Sequence, residues 1–172
     1  MTKQQKREIN KLKIKKLVRS NYDMLTEVLT EMTEEEINED SDLQRMLICK
    51  ITELECKKLV NGSIMCETGY DVISGANSIV SKSKAIEVKG TASLHDNVTF
   101  GAVGVAKIRC KEGKCDYVYI KEHIHNGEFL IDSNIFYNVM HFDSKSDRLL
   151  WNINYKTTSN HNTKMLLKHN ML

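Results

Sequence analysis

The order of apolar and polar positions divides the chain into a helical opening and a β-prone remainder. Leu25, Val28, Leu29 and Met32 recur at i, i+3, i+4 and i+7, the pattern of one buried helical face. Thr33 with Glu36 has the form of a capping box, so a short second element is expected there. Ser41 with Gln44 repeats that form and opens a longer helix. It places Leu43, Met46, Leu47, Ile51 and Leu54 on one side and ends at Asn61-Gly62.

After Gly62 the period shortens. Tyr70–Ile73 and Ala85–Lys89 read as short strands separated by a polar turn region holding Gly75. Asp116–Ile120 and Glu128–Ile131 read as two more, joined by a loop with Asn126-Gly127. Residues 98–109 suit either a strand or a helix, and two glycines weaken the helix. Ser133 is expected to cap a helix running to Met140, and residues 151–172 read as a strand, a polar loop and a short basic helix. The expected fold class is α/β (α+β): a small mixed sheet with helices packed on it, preceded by a helical N-terminal region.

A length of 172 residues fits one domain with a real apolar core. Residues 1–40 are expected to form a helical extension, 41–140 the core and 141–172 a C-terminal segment. The absence of any long apolar run argues against a membrane partner. The first sixteen residues lack the apolar centre of a signal peptide. Five irregularly spaced cysteines suit a reduced, cytoplasmic protein.

Net charge is only +2, but its placement is uneven. Residues 1–20 hold eight Lys/Arg and one acid; residues 21–44 hold nine acids and no Lys/Arg. The first block can approach a phosphate backbone, whereas the second reads as a solvated face.

The chemistry concentrates in residues 69–90, GYDVISGANSIVSKSKAIEVKG. An antiparallel pair with its turn centred near Ile79 sets Asp71 opposite Glu87. Strand alternation puts Glu87 and Lys89 on one face, and Ile86 and Val88 on the other. Two carboxylates so close repel unless a cation lies between them. Hard oxygen donors suit Mg²⁺, and a nearby lysine suits the orientation of a water.

Asp71 followed by Glu87-Val88-Lys89 resembles the D…(D/E)-x-K signature of the PD-(D/E)XK nuclease superfamily, whose familiar small members are Type II restriction endonucleases. The wider string GYDVIS…AIEVKGT is also similar to the nuclease-like domain at the C-terminus of NO VEIN-type proteins. The match covers roughly residues 50–132 and is strong across 69–91; Tyr70 stands where the motif's name has proline. The resemblance implies a single nuclease domain with a restriction-endonuclease-like central mixed sheet, and Mg²⁺ held by Asp71 and Glu87. It implies Lys89 as the catalytic lysine and double-stranded DNA as substrate, cut by a homodimer. Many relatives add a glutamate from the preceding helix: Glu53 is preferred by spacing, with Glu55 and Glu67 as alternatives. A structure-specific repair nuclease, or a non-catalytic nucleic-acid-binding module of the same fold, are the rival readings.

Two weaker constellations remain. Cys110, Cys115, His123 and His125 resemble zinc ligands in type, but His-x-His is an uncommon arrangement, and core and surface roles are favoured. Trp151 is expected as a core anchor, beside a stretch rich in Asn, Thr, Ser and Lys suited to base and phosphate contacts.

Overall fold

The computed structural model describes residues 1–21, 25, 41–65, 70–92, 97–100, 111–125, 127–141, 143–145, 148–154 and 160–172. The predicted positions Val28, Leu29, Met32, Thr33, Glu36, Glu67, Asn126 and Cys110 lie outside them. Among the described residues the helices are α1 (Lys3–Ser20), α2 (Ser41–Leu59), α3 (Ser133–Val139) and α4 (His161–His169). The strands are β1 (Ser63–Ile64), β2 (Val72–Ile73), β3 (Ala85–Thr91), β4 (Asn97–Phe100), β5 (Tyr117–Glu122), β6 (Gly127–Asp132), β7 (Asp143–Lys145) and β8 (Arg148–Asn154).

A five-stranded sheet runs β1-β2-β3-β5-β6, with β3 and β5 parallel and every other neighbouring pair antiparallel. A second, three-stranded antiparallel sheet runs β4-β8-β7. The predicted mixed sheet with helices packed on it is present. The ambiguous 98–109 segment contributes β4 at its start, and Trp151 sits on β8 in register with Phe100.

Both faces of the larger sheet are covered. Val72, Ile86, Val88, Tyr119 and Leu130 pack with Val80 and with Cys56 and Val60 of the α2 end. On the other face Cys115, Val118, Ile120, Phe129 and Ile131 pack with Phe136 and Met140 at α3 and Leu166 of α4. This two-sided burial explains why β5 and β6 read as near-continuous apolar runs rather than alternating ones.

Helix α2 is buried on two sides. Leu43, Leu47 and Ile51 meet Val18, with Ile14 and Leu17, from α1, and Leu25 joins them. Ile48, Thr52 and Cys56, also buried, continue around the helix toward the sheet. At about 100° per residue these positions span more than half the circumference. Met46, expected in the buried stripe, falls in the remaining arc and is exposed.

The helix stops as predicted, through a Schellman turn: Gly62 N–H donates to Lys57 O (2.8 Å) and Asn61 N–H to Lys58 O (3.3 Å). Asn61 takes the left-handed conformation, φ 44°. Gly62 serves close approach instead, because a Cβ there would lie 2.2 Å from Ile73 O. At α3 the cap is Asp132 rather than Ser133; its carboxylate accepts from Asn134 N–H (2.9 Å) and Ile135 N–H (3.2 Å). A carboxylate reaches the first-turn donors from one position earlier than the sequence reading placed the cap.

Candidate active site

The β2–β3 register sets the site. Val72 pairs with Ile86 and Ile73 with Ala85, so the next pair outward is Asp71 and Glu87, as the turn centred near Ile79 requires. Asp71 extends the ladder beyond β2. Its N–H donates to Ile86 O (3.0 Å), and its Oδ2 accepts from Val88 N–H (2.7 Å). The Asp71 side chain thus satisfies a β3 donor that lies past the end of its short partner strand.

Glu87 and Lys89 share a face, in register with Val118 and Ile120 of β5. That face was expected to be polar; its β5 and β6 positions instead belong to the core beneath α3 and α4. Glu87 is fully buried. Lys89, 18% exposed, donates from Nζ to Glu87 Oε1 and to Val88 O (2.9 Å). The cation required beside the carboxylate is here supplied by the chain itself.

Glu53 and Glu55 are separated by about 200° around α2. Glu53 Oε2 accepts from Lys50 Nζ at 2.6 Å. Cys49 and Cys56 stand on turns flanking Glu53, and both thiols report the surrounding charges. Burial pushes the Cys49 thiol up; Lys89 opposes this, while Glu53 and Asp71 reinforce it. Burial also pushes Cys56 up, with Asp71, Glu128 and Glu53 adding to the effect. Glu53, Asp71 and Lys89 therefore lie within electrostatic reach of one thiol.

Glu55 faces elsewhere. Its Oε2 meets Lys121 Nζ at 3.1 Å, which also lies 3.7 Å from Glu128 Oε1. The Tyr119 hydroxyl donates to the same Glu128 oxygen. His123 reaches into this region with a nearly inaccessible side chain, Nε2 2.9 Å from Thr52 Oγ1 and Nδ1 3.9 Å from Glu55 Oε2. Thr52 Oγ1 already donates to Ile48 O (2.6 Å), so His123 Nε2 is the donor in their contact. Burial pushes the His123 imidazole below its ordinary value; Glu55 opposes that, and Lys121 adds to it.

The other metal-ligand types are held apart by their partners. Cys115 packs in the core beneath α3 and α4, and His125 Nδ1 lies 2.8 Å from Glu122 Oε2. Among the described residues no group of three or more His, Cys, Asp or Glu side chains is arranged to hold a metal ion. Asp71 and Glu87 nevertheless supply hard oxygen donors from adjacent strands, the donor chemistry that fits Mg²⁺.

Sequence reasoning overlooked Cys49 and Lys50. Their signal was their spacing, one helical turn before Glu53. It also overlooked the His141–His161 stack, with ring centroids 3.7 Å apart, fixed by paired hydrogen bonds between Asn162 and the His141 backbone.

Compared with protein-family models and with curated proteins, the chain matches none. Among the described residues no helix is long and apolar enough to cross a membrane.

Proposed function

We propose that the protein is a Mg²⁺-dependent endonuclease that hydrolyses phosphodiester bonds in double-stranded DNA, of the Type II restriction kind, acting as a cytoplasmic homodimer. The observation that carries this reading is the register that sets Asp71 opposite Glu87 with Lys89 on the Glu87 face.

Asp71 and Glu87 would hold the metal, with Glu53 on the neighbouring helix as a third donor. A bound Mg²⁺ supplies charge compensation for the scissile phosphate and makes water a better nucleophile at neutral pH. Lys89 carries three N–H donors as an ammonium. Two are directed at Glu87 and Val88 O; the third suits the oxygen of an attacking water. The water oxygen bonds to phosphorus and gives up a proton to solvent, the bridging P–O bond breaks, and the departing oxygen takes a proton from solvent. Asp71 remains anchored by Val88 N–H throughout, so its carboxylate is oriented by the strand backbone rather than by solvent.

One observation favours the rival of a non-catalytic nucleic-acid-binding module: Glu87 is buried and already neutralised by Lys89. Cleavage assays separate the two. Supercoiled and linear duplex DNA are incubated with the purified chain in Mg²⁺, in Mn²⁺ and in excess EDTA. The nuclease reading expects cutting with either metal, none in EDTA, and none with Lys89→Ala despite retained DNA binding. Cutting that persists in EDTA refutes the metal requirement. Binding without cutting under every condition selects the non-catalytic module.

A further inference from the structure

We infer, on the strength of the duplex-hydrolysing reading above, that the N-terminal half of α1 is an arm that holds the phosphate backbone of duplex DNA against the body of the protein. Only the C-terminal turns of α1 are anchored, through Ile14, Leu17 and Val18 on Leu43, Leu47 and Ile51 of α2. Every described side chain from Met1 to Lys13 is exposed. The helix nevertheless has a fully formed start: Thr2 Oγ1 accepts from Gln5 N–H (3.2 Å) and Gln5 Oε1 from Thr2 N–H (2.8 Å).

The charges on this helix are ordered. Lys3, Arg7 and Lys11 on the arm, continued by the half-buried Lys15 in the anchored turns, recur every four residues and form one ridge. Like charges at this spacing destabilise a helix, and the single acid of α1, Glu8, meets only Lys11 of the four, at 3.6 Å. An anionic partner laid along the ridge removes that repulsion. The ridge is about 18 Å long at 1.5 Å per residue. Duplex DNA presents about ten charges over the same length.

At about 100° per residue, the ridge lies on the same side of α1 as Ile14 and Val18. The packing face of the anchored turns therefore continues outward as the basic ridge, so the cations face the space beside α2 rather than away from the molecule. The anchor on α2 includes Ile51, which lies about 200° around the helix from Glu53. A duplex held under the arm thus lies alongside α2, on the side away from Glu53.

Duplex binding by the full chain in EDTA, titrated from 50 to 200 mM salt, tests this. The fourfold variant Lys3→Ala, Arg7→Ala, Lys11→Ala and Lys15→Ala is compared with the arginine set Lys3→Arg, Lys11→Arg and Lys15→Arg. Each lost phosphate contact lowers the slope of log affinity against log salt by about 0.9. The alanine variant is expected to lose about two or more units of slope and at least about tenfold in affinity at 100 mM salt. The arginine set is expected to keep both. Circular dichroism confirms folding, and a glutamine set takes the place of an alanine variant that does not fold. An unchanged slope and affinity overturns the arm while leaving the nuclease reading standing. No duplex binding by the wild-type chain at 50 mM salt overturns the nuclease reading itself. Loss of self-association with unchanged DNA binding makes the arm an interface between copies and overturns the inference as well.

Discussion

Replacing Lys89 with alanine removes the ammonium that neutralises the fully buried Glu87 carboxylate. Stranding one member of a buried ion pair costs about 3–5 kcal/mol. In a chain of this size about 3–5 kcal/mol corresponds to a melting shift of roughly 6–20 °C. Urea unfolding at pH 7 reads the effect. The double variant Glu87→Gln, Lys89→Met, which carries neither charge, is expected to recover most of the loss. A loss below about 1 kcal/mol, or no recovery in the double variant, refutes the idea that Lys89 compensates a buried charge.

Asp71→Ala and Glu87→Ala should each abolish cleavage, with the double variant little worse than either, because groups acting as one unit are non-additive; additive losses in turnover count against a shared site. Gly90→Ala should loosen α2 from the sheet, since a Cβ there would lie 2.0 Å from Thr52 Oγ1 and 2.8 Å from Thr52 Cβ. The expected loss in urea unfolding is about 1–3 kcal/mol, and an unchanged midpoint contradicts that close approach. Burial holds His123 below its ordinary value, so its contribution to stability is complete above about pH 6.5 and declines as pH falls from there toward the folded value. His123→Gln, which keeps a donor for Thr52, should flatten the pH dependence of stability in that window; an unchanged profile assigns the dependence to other groups.

The local half of the candidate site was legible because a hairpin register follows from its turn. The centre near Ile79 fixes Asp71 against Glu87, and the Val72–Ile86 pair agrees. The fate of the Glu87 face was not legible. It depends on β3 pairing in parallel with β5, some 30 residues further on, and on α3 and α4 closing over that side. Alternation along one strand says which residues share a face but not what covers it. Helix α2 shows the same limit. Its i, i+4 pattern identified Leu43, Leu47 and Ile51, whereas the exposure of Met46 follows from packing on two sides at once. The surroundings of Glu55 also needed the fold, because only the position of β5 shows that Lys121 engages it.

The free thiols give the molecule a built-in record of its own opening. Cys56 lies between α2 and one face of the sheet, and Cys115 lies beneath α3 and α4 on the other. Only a thiolate reacts with alkylating reagents, and burial holds Cys56 protonated as well as covered. Its modification therefore waits for α2 to lift, while that of Cys115 waits for the opposite side to part. Cys49, which is exposed, needs neither event. Peptide-resolved alkylation rates in dilute denaturant would thus time the two sides of the sheet separately. They would show whether the helix bearing Glu53 detaches before, after or together with the layer that shelters Glu87.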